Sequence, residues 1–561
     1  MDFFDFAWST AFQLSKKTYA EVKILLNDDL KYPYLGKDRN GYVLHLVRPQ
    51  KMDNDHVIFQ GQRFNLQDPN QKKMIWFLFK ASVYHLCLHS KISDFSVYSK
   101  WGKDKHLNMS TFVASLVEDA VIDSQARQTY RWILPETAYS NAVSFLRIKD
   151  VRQLPNNASR VMVAILESVN VGKVKGTLDP DMATDVEAVR SILRRTRENP
   201  TLDEKIDAAV KVYDAIKAYG ETFEVPSLLH TESHGRNDLF YEKRFPSEEE
   251  LQRIMTECVH NIDLENKDEV QTESIVQGLK ENEAFQALTI WREREKNKMK
   301  ILDGYSEIGK DTRFEDFEFP TEDYSEYQRR RALLSSPIRR ILHQLRLLKN
   351  VGGEDFRQES GFVDLQEAIQ VIASKSKRTD IFAREELQTR EDSWSILIDA
   401  SHSLNMFHGE VRGIALSLAE VAKTLILNQN SWGMYAFNHK FYVIKDPSER
   451  YDAHVKARIG GLSHGGFTFL PDATLLAAQS LGKRIEEAKI LVIVSDFFPA
   501  GYEGADERLK EVIKKVDRMG VGVVGIGVNS KAVKRYIRVN CVVEGPYDLM
   551  RKFTKAFMEF G

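Results

Sequence analysis

Apolar and polar positions change rhythm along the chain. From Ser393 onward, short continuous apolar runs (Ser395–Ile398, Trp432–Phe437, Ile490–Ser495, Val521–Ile526) alternate with amphipathic stretches such as Val411–Leu427 and Glu507–Arg518. Within the first stretch Val411, Ile414, Ala415, Leu418, Val421, Ala422 and Leu425 fall on one helical face. Strands apolar throughout and separated by helices predict βαβ units and a mostly parallel sheet covered on both faces. The expected fold is therefore multidomain: a C-terminal α/β, Rossmann-like domain over 391–561, preceded by mainly α-helical N-terminal and middle regions.

The upstream pattern divides more loosely. Residues 1–150 read as a mixed, largely helical domain in which Met74–His89 is apolar through most of its length. A helical region over 151–240 carries charged surfaces such as Arg190–Glu198, and 241–390 reads as a charged helical connector. Few apolar anchors stand between Glu242 and Asp311, which predicts solvated helices or a loosely packed segment. Aromatics and carboxylates interleave over Phe314–Tyr327, and Pro320 argues against an unbroken helix there. Ser336-Pro337 reads as a helix start, followed by Ile338, Ile341, Leu342, Leu345 and Leu348 at helical spacing, with Gly352-Gly353 as the stop. The opposite face of that helix is basic (Arg339, Arg340, His343, Arg346), the ordinary look of a solvated face.

Composition narrows the function classes. The 561 residues carry 79 Lys+Arg against 81 Asp+Glu, so no global field draws the chain to nucleic acid or an anionic membrane. Three scattered cysteines (Cys87, Cys258, Cys541) make neither a disulfide framework nor a four-cysteine zinc site. No apolar run approaches the ~20 residues of a spanning helix, and Asp2 and Asp5 stand where a signal peptide would be basic. The expectation is a cytoplasmic chain with no membrane span and no nucleic-acid partner.

Candidate chemistry lies at the ends of two predicted strands. The first runs into Asp399-Ala400-Ser401-His402-Ser403, and Ile490–Ser495 runs into Asp496. Between them Gly465-Gly466-Phe467-Thr468 opens another helix. In an open parallel sheet ligands bind beyond the carboxyl ends of strands. Asp399, Ser401, Ser403, Thr468 and Asp496 offer carboxylate and hydroxyl oxygens only, a hard-cation set that suits Mg²⁺ (or Mn²⁺) better than Zn²⁺. Each alone reads more readily as a helix cap than as a ligand; together, in this order, they read as one metal site. His402 is expected to point away from the flanking serines and to take no part as a base.

A second signal is weaker. His85-Leu86-Cys87-Leu88-His89 places two imidazoles at i and i+4, the spacing of a zinc-binding H-E-x-x-H pair. Val117-Glu118-Asp119-Ala120, on another predicted helix, could add a carboxylate, with Glu118 as the candidate. Leu86 replaces the water-activating glutamate, so the arrangement is a degenerate zincin-like helix. Two buried core histidines are the plainer reading, and any zinc here would be structural before hydrolytic.

The strand-end motifs carry a family resemblance. The segment from about Ser393 to Gly561 resembles a von Willebrand factor A domain, with Asp399-x-Ser401-x-Ser403, Thr468 and Asp496 matching its metal-ion-dependent adhesion site. Arg339-Arg340 through Leu348, followed by Gly361-Phe-Val-Asp364-Leu-Gln-Glu-Ala-Ile369, is similar to the NorD/CbbO group. That resemblance implies a partner of a MoxR-type AAA+ ATPase hexamer and a role in activating or maturing an enzyme complex. A departure stands at Asp496, which is followed by Phe497-Phe498-Pro499 where the family has glycine. The implied role is a non-enzymatic adaptor whose Mg²⁺ leaves a coordination position for a carboxylate of the client. The chain itself has no G-x-x-x-x-G-K-[ST] phosphate loop. The competing reading is a zinc-dependent hydrolase built on His85 and His89.

Overall fold

The computed structural model describes the chain except residues 40, 197–199, 223, 228–229, 233–238, 263–274, 276–277, 350–352, 361, 375, 387–391, 427, 487 and 559–561. Gly352 and Gly361 lie outside the described residues, as do the side chains of Leu345, Arg346 and Leu348. The chain divides into two compact units, Met1–Asn297 and Lys298–Gly561, the boundary falling inside the helix Glu281–Ile308.

The first unit is built on two long helices, α1 (Pro69–Ile92) and α2 (Leu107–Thr129). Asp68 caps α1 by accepting from the Asn70 amide at 2.9 Å, and Pro69 sits in the first turn, where its missing N–H costs nothing. Met74 through Val83 are buried on every side of α1, which makes it a core helix and explains its lack of a polar face. The helices Asn157–Asn170, Pro180–Arg195 and Leu202–Lys217 pack on α2 around Val113, Val117, Val161, Val189 and Val212. Tyr42–Val47 is the middle strand of a small sheet, parallel to Val22–Asn27 and antiparallel to Tyr34–Lys37.

Of the two alternatives for the stretch after Glu242, its described residues form helices, each seated by a buried stripe. Glu248–Ile262 is a helix that buries Leu251, Ile254, Met255, Cys258 and Val259, spaced i, i+3, i+4, i+7, i+8. In Glu281–Ile308 the buried set Ala284, Ala287, Leu288 and Trp291 repeats that spacing. A narrow stripe suffices to seat a helix whose other faces are largely polar and charged. Lys73 ties both helices to α1, its Nζ lying 2.9 Å from Glu248 and 2.8 Å from Glu281.

The second unit holds a seven-stranded sheet: β1 (Phe317–Glu318), β2 (Asp392–Asp399), β3 (Trp432–Phe437), β4 (Phe441–Lys445), β5 (Ala488–Ser495), β6 (Val521–Val528) and β7 (Val539–Val543). Their order is β7-β6-β5-β2-β3-β4-β1, parallel throughout except for the antiparallel pair β3–β4. Alternation sends Ile396 and Ile398 to one face and Leu397 to the other. The first face is covered by α3 (His408–Leu425), through Ile414, Leu418 and Ala422. The second is covered by α4 (Leu470–Gly482) and α5 (Ala505–Arg518), through Leu475, Leu476, Leu509 and Val512. This is the α/β domain that the apolar runs predict.

The aromatic and acidic segment before Pro320 has a structural use. Its Phe317 pairs with Phe441 as edge strand β1, and Phe314 packs on Phe441 at 5.5 Å between ring centroids. Beyond Pro320 the chain turns into the helix Tyr324–Leu333. The following helix starts at Ser335, one residue before the predicted cap. Between it and β2, the strands Gly353–Gln358, Phe362–Val363 and Phe382–Glu386 form a small antiparallel sheet beside the helix Leu365–Ser374. No helix among the described residues is long and apolar enough to cross a membrane.

Candidate metal centre

Strand β2 is the turning point of the sheet. The chain leaves it through α3 to β3 on one side, while β5 pairs with its other side. Such a switch in strand order leaves a crevice at the carboxyl ends of β2 and β5. Asp399 closes β2 and Asp496 follows β5, and Ile398 pairs with Val494, so the two strand ends lie level.

The loop after β2 is tightly organised. The Ser401 amide donates to Asp399 Oδ1 at 2.9 Å, and the Ser401 and Ser403 hydroxyls lie 3.0 Å apart. Ser401 is buried, Ser403 is exposed, and His402 also faces solvent. The second loop is fastened to the first by backbone: Gly465 N donates to Ala400 O at 2.8 Å and His402 N to Gly466 O at 3.1 Å. Gly466 has φ +74, and a Cβ there would lie 2.0 Å from His439 Nδ1, so glycine is required. Thr468, buried at the end of this loop, accepts from Ala500 N at 3.1 Å, which joins it to the loop after β5.

The third loop, after β5, is held by a local hydrogen bond and an unusual backbone. Asp496 Oδ1 accepts from the Phe498 amide at 3.0 Å, and Phe497 adopts φ +59 with its ring buried. A left-handed backbone is thus held by a non-glycine residue whose ring is anchored in the core. Phe498 points outward, 57% exposed.

Electrostatics set the chemistry of the site. Asp399 is wholly buried, and burial, followed by the charge of Asp496, raises its pKa to about 7, although the Ser401 and Ser495 donors pull the other way. Ser495, which the sequence reading passes over, donates its hydroxyl to Asp399 Oδ2 and accepts from the Phe497 amide at 3.0 Å. Its only sequence signal is a hydroxyl immediately before a strand-end aspartate. Asp399 and Asp496, close enough for their charges to couple, and the adjoining Ser401 and Ser403 hydroxyls of the loop after β2 are oxygen donors of the kind that suit a hard divalent cation.

No family model matches this chain. No curated protein matches it either. Among solved structures it is similar to a point mutant of the PilB minor pilin from Streptococcus sanguinis, at 14% identity and TM-score 0.24 over 32% of this chain and 65% of that one. It is also similar to the Deinococcus radiodurans RO (RSR) protein, at 11% identity and TM-score 0.21 over 84% of this chain and 95% of that one. The chain spans just under two thirds of the pilin's length. At such TM-scores neither likeness carries an argument about fold or function.

In the first unit, His85 and His89 meet on α1 with their Nε2 atoms 3.0 Å apart. Glu118 does not join them: it accepts from Tyr98 Oη at 2.9 Å and pairs with Lys205 at 2.9 Å. Asp119, one residue and about 100° further round α2, faces the histidines instead, with Oδ1 3.0 Å from His89 Nε2. The carboxylate choice within Glu118-Asp119 depends on helix phase, which the predicted helix did not specify.

Proposed function

We propose that 391–561 is a von Willebrand factor A-type domain in which Asp399, Ser401, Ser403, Thr468 and Asp496 bind Mg²⁺ (or Mn²⁺), and that the chain is a non-enzymatic adaptor. The metal grips a carboxylate of a client enzyme complex, and the chain couples that client to a MoxR-type AAA+ ATPase hexamer for activation or maturation. The observation that carries the reading is the fully buried Asp399 beside Asp496 at the switch point, with neutral donors around it.

Two further features support a binding role. Each loop of the site exposes one large apolar side chain: Met406 at 87%, Phe467 at 63% and Phe498 at 57%. Large apolar groups around a polar centre mark a protein-binding surface. In the segment between the helix from Ser335 and β2, Leu365, Ile369 and Ile372 form an exposed stripe at i, i+4, i+7, suited to a second partner.

The deciding experiment is isothermal titration of the full chain with Mg²⁺, paired with co-purification of native partners with and without chelator. Saturable binding that Asp399→Asn abolishes, with chelator-sensitive retention of a AAA+ ATPase or an enzyme complex, is expected. Unchanged Mg²⁺ binding in Asp399→Asn would overturn the site, and partner capture indifferent to chelator would overturn its role.

A further inference from the structure

The first unit holds a second convergence of ligand atoms, independent of the strand-end site. His85 and His89 lie on consecutive turns of α1, Asp119 projects from α2, and Glu232 comes from the segment beyond the helix Leu202–Lys217. One atom from each lies within 4.8 Å of all the others. His89 Nε2 is 3.0 Å from His85 Nε2, 3.0 Å from Asp119 Oδ1 and 3.0 Å from Glu232 Oε2. His85 Nε2 is 3.5 Å from Asp119 Oδ1 and 3.4 Å from Glu232 Oε2.

We propose that His85, His89, Asp119 and Glu232 hold one zinc ion in a closed, structural site. The distances fit the chemistry. Zinc bonds of 2.0–2.1 Å at tetrahedral angles put neighbouring ligand atoms about 3.3 Å apart, and the five separations that involve a histidine nitrogen run from 3.0 to 3.5 Å.

Proton counting points the same way. A single imidazole nitrogen carries at most one proton, and one proton cannot satisfy three close acceptors. The other nitrogen of His89, Nδ1, lies 2.9 Å from Ser93 Oγ. With Nδ1 turned to Ser93 Oγ, Nε2 is the ring atom left facing two carboxylates and a second imidazole, a position where a divalent cation would take the place of the proton those carboxylates favour. Zinc-bound histidines are held this way, with the far nitrogen donating outward to fix ring and tautomer.

Burial selects a structural metal over a catalytic one. The His89 side chain is 0% exposed and Glu232 5%, with His85 at 11% and Asp119 at 17%. A cavity of about 10 Å³ beside His85, Asp119 and Glu232 has room for a body the size of one water molecule. Four protein ligands complete a tetrahedron and leave no position for a reacting water. Leu86, fully buried, occupies the place where a metallopeptidase would carry its base. The ion would pin α1 to α2 and to Glu232, a cross-link for a unit whose two cysteines, Cys87 and Cys258, are both buried and free.

The test uses the full-length chain, purified without a metal-chelating tag. Elemental analysis is expected to find one zinc per chain, and stripped protein reconstituted with Co²⁺ should show the intense visible bands of a tetrahedral site. Asp119→Asn, which keeps volume and fold, should weaken zinc binding at least tenfold in competition with a chromogenic chelator, whereas Asp399→Ala should retain the ion. His85→Ala should lose it altogether, with circular dichroism checking the fold. Wild-type protein that neither carries nor takes up zinc would overturn the proposal. So would zinc affinity unchanged in Asp119→Asn, or zinc lost with Asp399→Ala and kept in Asp119→Asn.

Discussion

The hydroxyl of Ser495, the last residue of β5, donates to Oδ2 of Asp399, the last residue of β2. This bond crosses the switch point and joins the two strand ends that frame the crevice. Because Asp399 is wholly buried, the lost donor is not replaced by water. Ser495→Ala is expected to destabilise the second unit by about 1–3 kcal/mol, measured by urea denaturation without divalent cation, and Mg²⁺ should recover part of the loss.

The proposed Mg²⁺ site should respond to pH through Asp399. Its pKa is about 7 in the folded chain against an ordinary 3.8. Between these values the folded state binds the extra proton, so without metal the stability contributed by this group falls as pH rises toward 7. Mg²⁺ binds the ionised form, so its stabilisation should grow as pH rises from 5.5 to 7.5. Melting curves with and without Mg²⁺ should diverge over that window, and a constant or shrinking difference would contradict the assignment.

Asp399→Asn separates fold from function. It removes a buried charge facing Asp496 while keeping shape, so the metal-free unit should be as stable as wild type or more so. The Mg²⁺-induced rise in melting temperature should vanish.

Gly466→Ala tests the second loop. A Cβ at φ +74 would press on His439, and strain of roughly 1–3 kcal/mol is expected. The affinity for Mg²⁺ should fall as well, since Thr468 hangs from the same loop. Denaturation and titration calorimetry on one preparation would read both effects.

The exposed apolar groups should behave oppositely. Phe498→Ser and Ile369→Ser remove side chains 57% and 63% exposed, so stability should move by less than about 0.5 kcal/mol. Phe498→Ser should reduce chelator-sensitive client capture with Mg²⁺ affinity intact. Ile369→Ser should reduce ATPase retention instead.

Local pattern determined much of this protein. Continuous apolar runs announced β2, β3, β5 and β6, because a strand buried on both faces has no polar alternation to disguise it. The helical spacing of Val411, Ile414 and Leu418 likewise identified α3 and its buried face. The same runs placed the candidate carboxylates, since Asp399 closes β2 and Asp496 follows β5. Tertiary structure decided what depends on phase and distance. Which of Glu118 and Asp119 faces the histidines follows from 100° of helix rotation; Glu232, more than a hundred residues from His89 in sequence, enters only through folding. Ser495 gained its role only when β5 settled beside β2. The charged helices after Glu242 became core elements because a stripe of one residue in three or four is enough once a neighbour covers it. Spacing along a chain specifies faces; which faces meet is set by packing, and both candidate sites lie where packed elements meet.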